Sequence, residues 1–298
     1  MLRARIAKFP GPASPLGEGE MWLEWLAGWQ KTPHPRLSRP LSAVFVGSHE
    51  VARYISAIDP VNAAKARIES LASGSVVVRG AAEAVGAAFK VYEMGSEYPA
   101  ADFREADSLS QRECAAAMAY GMEVVAEGAD IIALGCAGCG AATAATAIAR
   151  ALYGGAVEYW VGGQGDEAQR RADIVRNGNR FHRDYLSDPM EVLCRFGGRD
   201  IAGLVGAIVA ARHQCIPVVL DGFIVTIAAA ILHHIKPDAI SHCMAGHISA
   251  EPAHGALLER LNLTPILTTK IGVGDGTGAT LSLGLLRSVV QGLETIDV

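Results

Sequence analysis

Ten residues near the C-terminal end, KIGVGDGTGA from Lys270 to Ala279, set one carboxylate, Asp275, among four glycines and directly before an apolar run of helical spacing. An aspartate there can cap the helix, its oxygen accepting from a backbone N–H. Glycines on both sides also allow a planar ligand close to the backbone. They also leave the acid in a partly desolvated pocket, the setting a general base needs. Asp275 thus reads either as the cap of that helix or as a general base, with Gly274 and Gly276 beside it as substrate-binding candidates. Asp221, in VVLDG, ends an apolar strand-like run; it reads as the N-cap of the helix that follows, as a group facing the ligand, or as both.

A second glycine-rich stretch, GCAGCGAATAATA, places Gly135, Gly138 and Gly140 at a helix start, where backbone N–H groups bind anions and so suit a phosphate-bearing substrate. Cys136 and Cys139 have the spacing of a redox pair, and a helix N-terminus lowers a thiol pKa. No Trp or Pro flanks them, however, and the stretch reads better as a turn made of small residues. His242, His247 and His254 cluster with Cys243 and Glu251 in SHCMAGHISAEPAH, yet their spacings match no zinc pattern. No metal and no cofactor is expected, and the histidines are given structural or substrate-positioning roles. His233 and His234 close a helix, where dipole and solvent account for them.

These loops need a scaffold. Strand-like runs (LSAVFVGSHEV, SVVVRG, ADIIALGCAGCG, IPVVLDG) alternate with helix-like ones: Val61 to Leu71, RECAAAMAYGMEVVAEG, AATAATAIARAL, RDIAGLVGAIVAARHQ and FIVTIAAAILHHI. DAISHCMAG is strand or loop. The alternation predicts an α/β fold, a parallel sheet with helices on both faces. Ligands in such sheets lie beyond the carboxyl ends of the strands, which selects the loops Gly47–Glu50, Gly135–Gly140, Asp221–Gly222, Ala245–His254 and Gly272–Gly278. Before the first strand, EMWLEWLAGWQ reads as a helix and KTPHPRLSRP as a linker, dividing the chain into an N-terminal segment, 1–40, and an α/β domain, 41–298.

With 298 residues, half of them hydrophobic, the chain can bury a large core. A net charge of −5 with no basic cluster excludes a nucleic-acid binder. The most apolar stretch, Ile216 to Leu232, carries Asp221 and is too short to span a membrane. No secretory signal is visible in MLRARIAKFPGPASPLGEGE. Six scattered cysteines suit a reducing cytoplasm rather than a disulfide framework.

Three C-terminal blocks in order, VVLDGFIVTIAAAIL, GHISAEPAHGALLERLNLTPIL and GVGDGTGATLSLGLL, resemble the nicotinate-nucleotide:dimethylbenzimidazole phosphoribosyltransferase family of cobamide lower-ligand assembly. DPMEVLCRFGGRDIAGLVGAIVAA agrees more loosely, and the likeness extends from about Trp22 to Leu293. It implies a homodimer with a smaller lobe built from the N-terminal segment and terminal helices. It also implies small-molecule substrates: phosphoribose passes from nicotinate mononucleotide to an aromatic base such as 5,6-dimethylbenzimidazole.

The resemblance assigns residues as well. Asp275 stands where the family's Gly-Glu-Gly-Thr-Gly loop supplies the basic glutamate, and its reach is shorter by about 1.5 Å, one carbon–carbon bond. Cys136 replaces a glutamate of a Glu-Met-Gly-Ile-Gly-Asn-Thr-Thr loop, whose Asn and first Thr become Ala141 and Ala142. Arg171 matches a lysine near the phosphate, Ser56 a serine beside the acceptor ring. His49 remains of an Asp-His-Gly-Val loop whose Asp is here Ser48. His247, Ser249 and Glu251 complete the substrate-binding set. The alternative is a divergent homologue that binds a related nucleotide or corrinoid-pathway ligand, or hydrolyses an N-glycosidic bond.

Overall fold

Every residue of β1 (Pro40–Val46) and β3 (Ile131–Cys136) is buried. Strands like these belong inside a parallel sheet covered on both faces. The computed structural model, which describes residues 2–7 and 16–295, has that arrangement. Six parallel strands run in the order β2-β1-β3-β4-β5-β6, with β2 at Ala88–Glu93, β4 at Val218–Leu220, β5 at Cys243–His247 and β6 at Pro265–Leu267.

Helices α1 (Leu2–Ile6) and α2 (Gly19–Trp29) precede β1; α3 (Ala52–Ser56), α4 (Pro60–Ser73) and α5 (Val77–Ala84) connect it to β2. Helix α6 (Gln111–Met122) leads to β3. Between β3 and β4 lie α7 (Ala141–Tyr153), α8 (Val157–Val161), α9 (Asp166–Phe181), α10 (Pro189–Phe196) and α11 (Arg199–His213). Helices α12 (Gly222–Ile235), α13 (His254–Arg260) and α14 (Thr277–Glu294) follow β4, β5 and β6 respectively.

The faces divide cleanly. Phe45, Ile132, Leu134 and Leu220 point into the larger core with α6, α7, α10, α11 and α12. Ile131, Ala133, Val219 and Met244 point the other way, against Trp22, Leu23 and Leu26 of α2 and Leu283, Leu286 and Val290 of α14. Val44 and Val46 meet α4 and α5 on that second side. The β1–β2 connection thus covers one face and the β2–β3 connection the other. The strand order reverses between β1 and β3, the topological switch point where sheets of this kind open a ligand crevice.

Two local expectations need correcting. SVVVRG is not a strand: residues 77–84 form α5, whose Val78, Ala81 and Ala82 recur at helical spacing and are buried. Consecutive valines favour strands only where both faces are covered, and here one stripe is. The edge strand is AFKVYE, with burial that alternates along its length. DAISHCMAG resolves into a 3₁₀ turn at Pro237–Ile240 and then β5. Of the N-terminal stretch, residues 1 and 8–15 lie outside the described residues. No described helix is long and apolar enough to cross a membrane.

Candidate active site

The loops after β1 and β3 are laced together. His49 N–H donates to the Cys139 carbonyl and Cys139 N–H to the Gly47 carbonyl, each at 3.0 Å. Gly140 adopts φ +88°, and a Cβ there would sit 2.9 Å from His49 Cβ, so only glycine makes the turn without strain. Beneath it lies a pair that the sequence reading missed. The Asp200 carboxylate, in the first turn of α11, meets His49 Nε2 at 3.1 and 3.2 Å, and both residues are buried. Cys136 Sγ is 3.8 Å from Asp200 Oδ2. Burial opposes charge on Asp200, but His49 and the backbone N–H of Ile201 outweigh it and hold the carboxyl below its usual range. Burial, with Asp200 alongside, pushes the Cys136 thiol well up, and burial raises Cys139 too. Both thiols stay protonated, the opposite of a reactive redox pair.

The loop after β6 closes onto β3. Cys136 N–H donates to the Gly274 carbonyl at 2.8 Å, and any Cβ on Gly135 would collide with the backbone of Gly276. Asp275 is buried, and its Oδ1 accepts from Thr277 N at 3.1 Å and Thr277 Oγ1 at 2.6 Å. It therefore does secure the start of α14. Asp221 departs from expectation. It makes no side-chain cap to its own helix, α12. Its Oδ2 accepts from Gly276 N at 2.9 Å and its Oδ1 from Ala279 N at 2.8 Å, so it caps α14. Sequence spacing points a cap at the next helix in the chain; tertiary packing gave the carboxylate a better pair of donors fifty-odd residues on.

His247 packs its ring on Gly278, with Nδ1 3.1 Å from Thr269 Oγ1. Its Nε2 is 3.3 Å from Asp221 Oδ1 yet out of line for a hydrogen bond. Ser249 and His254 form a separate chain. Ser249 N–H donates to His254 Nδ1 at 3.0 Å, which places the ring proton on Nε2, 3.0 Å from Thr226 Oγ1; that hydroxyl donates to the Gly222 carbonyl. The β4 and β5 loops are thereby joined. His242 bonds the Ile208 carbonyl instead, so the three histidines of this segment have three different settings.

Burial pushes His254 and His242 down to about 4. Their ordinary value is about 6.5, so as pH falls the unfolded chain takes up protons first, and stability present above pH 6.5 is lost between 6.5 and 4. Each histidine costs about 2 kcal/mol at pH 5 by that linkage. Urea unfolding at pH 7 and pH 5 checks it; equal stabilities would refute the neutral buried histidines.

Arg171 is half-buried on α9. Burial lowers its pKa while Glu167 and Glu251 oppose that shift; it makes no hydrogen bond among the described residues, and Glu251 Oε2 is buried without a partner. Before α9, Gly162, Gly163 and Gly165, all at positive φ, form a turn around a cavity of about 110 Å³ lined also by Glu158, Ala168 and Ala172. Sequence reasoning passed over this turn, although three glycines in four residues before a helix were there to be seen. Ser56 ends α3 with its side chain exposed; α3 is tied to α9 through Arg170 Nε and the Ile55 carbonyl, 2.8 Å. The structure thus brings Gly135, Cys136, Gly274, Asp275, Gly276, Asp221 and His247 into one contiguous network. Arg171, Glu251 and Ser56 lie on the elements around it.

A family model described as a phosphoribosyltransferase matches residues 1–297. The chain is 43% identical over 293 residues to the nicotinate-nucleotide:dimethylbenzimidazole phosphoribosyltransferase of Methylocella silvestris, covering 97% of this chain and 86% of that protein. It is 41% identical over 290 residues to the protein of that name from Allorhizobium ampelinum, with coverages of 96% and 85%. The solved structure of nicotinate-nucleotide:dimethylbenzimidazole phosphoribosyltransferase from Thermus thermophilus superposes with a TM-score of 0.89 at 29% identity, covering 98% of this chain and 94% of that one.

The chain belongs to this phosphoribosyltransferase family. A transferase that brings two substrates together asks for loops that cannot drift. Gly135 is the test of that rigidity. Replacing Gly135 by Ala forces the Gly274–Gly276 loop outward, and a displacement of about 1 Å lowers kcat/KM roughly a hundredfold. Steady-state kinetics within threefold of the parent would show the loop to be slack.

Proposed function

We propose that this phosphoribosyltransferase moves phosphoribose from nicotinate mononucleotide to an aromatic base such as 5,6-dimethylbenzimidazole, in the assembly of a cobamide lower ligand. The observation that carries the reading is the family match over the whole chain, with each glycine-rich loop of the network inside it.

The chemistry fits the geometry. Nicotinate bound through its ring nitrogen is a pyridinium, so the sugar carbon is electrophilic without a metal's help. A lone pair on one acceptor nitrogen attacks that carbon, the carbon–nitrogen bond to nicotinate breaks and its electrons stay on the pyridine. The proton on the acceptor's other nitrogen must then leave. Asp275 is the group we assign to take it. Thr277 occupies Oδ1, leaving Oδ2 as the accepting atom. Gly135, Gly138 and Gly140 seat Gly276, Asp200 and His49 against the β3 loop, and the backbone N–H groups at the start of α7 are offered to the nucleotide's phosphate; Gly274 and Gly276 flank Asp275. Asp221 acts by pinning Gly276 and Ala279, and His247 by packing under Gly278.

Cys136, held protonated, fills space and donates towards Asp200. Ser249 and Glu251 shape the β5 loop around the donor, and Ser56 and His49 border the acceptor side. We assign Arg171 to the 5′-phosphate, a charge-assisted contact. Replacing Arg171 by Ala raises KM for nicotinate mononucleotide at least tenfold with less change in kcat, as a loss of about 1.5 kcal/mol or more of ground-state binding requires; an unchanged KM would remove it from the phosphate site.

The working species in this reading is a cytoplasmic homodimer, which sedimentation at twice the 31.2 kDa chain mass tests. The reaction itself is tested by incubating the protein with nicotinate mononucleotide and 5,6-dimethylbenzimidazole and analysing the products by mass. A phosphoribosylated benzimidazole supports the transfer. Free ribose phosphate without that product would favour hydrolysis, with water as the acceptor.

A further inference from the structure

The His49–Asp200 pair sits at the switch point between β1 and β3, behind the glycine turn, and nothing above gives Asp200 a part in the reaction. The pair is set in a shell of glycines. A Cβ at Gly47 would come within 2.9 Å of Asp200 Cγ and one at Gly198 within 2.7 Å of Asp200 Oδ1, while at Gly138 it would collide with Asp200 Oδ2. Three glycines therefore leave room for this one carboxylate, which is fully buried at the N-terminus of α11. A buried charge kept at that expense has its acceptors filled: Ile201 N–H at 2.9 Å, Cys136 Sγ at 3.8 Å, and His49 Nε2.

An ionised carboxylate only accepts hydrogen bonds, so the proton between the pair lies on His49 Nε2. In the neutral imidazole Nδ1 is then the nitrogen left to accept, and no described protein group bonds it. The His49 backbone is fixed at the same time by Cys139. We infer that Asp200 is a positioning residue for the phosphoribosyl transfer: it fixes the proton of His49 on Nε2, and so presents Nδ1 as a hydrogen-bond acceptor for a sugar hydroxyl of the bound substrates. Its importance for the reaction rests on the function proposed above; the proton's position does not.

Asparagine at 200 has nearly the same shape. Its oxygen stays on Ile201 N–H, its amide turns a donor towards His49 Nε2, and the ring proton moves to Nδ1. Long-range proton–nitrogen correlation spectra of protein labelled in its nine histidines, with the His49 signals assigned from an H49N variant, read that proton directly. The expected result is Nε2–H in the parent and Nδ1–H in D200N, with kcat down at least tenfold and KM changed less than threefold. The kinetic effect of D200N disappears in the H49N background, as it must if Asp200 works only through His49.

Nδ1–H in the parent spectrum overturns the inference even if D200N does not fold. Equal losses from D200N in both backgrounds overturn it too, by making the role structural. Should the parent release no nicotinate at all, the proposed function fails, and the parent spectrum still decides where the proton lies.

Discussion

Replacing Asp275 by Asn lowers kcat by two to four orders of magnitude, the range that a positioned general base contributes, and leaves the unfolding temperature within about 2 °C of the parent. The two halves of that expectation come from different atoms. The asparagine oxygen still accepts from Thr277 N and Oγ1, the contacts that Oδ1 makes now, so α14 keeps its start. The amide nitrogen that replaces Oδ2 takes no proton. KM for both substrates moves little, since the change removes an interaction made in the transition state. A variant that turned over normally would mean that Asp275 is a cap and nothing more, and a variant that unfolded early would mean that its negative charge, not its shape, holds the loop.

Asp221→Ala gives the opposite pattern, losing stability and activity together. The side chain satisfies two buried backbone donors, Gly276 N and Ala279 N, and alanine leaves both without a partner. At about 1–3 kcal/mol for each buried donor left unpaired, the loss is about 2–6 kcal/mol. For a chain of this size that lowers the unfolding temperature by roughly 3–10 °C. Because Gly276 follows Asp275 directly, the carboxylate assigned as base shifts with its loop, and kcat/KM falls about a hundredfold. Calorimetry with steady-state kinetics checks both. An active Asp221→Ala of parental stability would show that α14 needs no cap from β4.

Much of this was legible in the sequence. The alternation of apolar strands with longer helical runs carried the parallel sheet, and the rule that ligands sit beyond strand ends selected the loops now found together. What escaped depended on partners distant in the chain. Asp221 looks like the cap of α12 because its neighbours in sequence say so; the donors it chose are on α14. Asp200, in GGRDIAGLVGA, reads as an ordinary first-turn acid favoured by the helix dipole, and only the fold reveals that His49 lies against it. The valines of SVVVRG misled because β-branching speaks for burial on a pleated surface as much as for a strand. The true edge strand, AFKVYE, with a lysine and partly exposed alternation, and the three-residue β6 were too weak to mark themselves. His254 shared a cluster with His242 and His247 in sequence, yet its bonds to Ser249 and Thr226 make it a tie between loops.

The central claim, transfer to a base rather than to water, meets its most direct test in the initial rate of nicotinate release from nicotinate mononucleotide as 5,6-dimethylbenzimidazole is raised from zero to saturation. The account predicts a rate near zero without the base, rising to a plateau, with one ribosylated base formed for each nicotinate released. A rate that is the same with and without the base would contradict it.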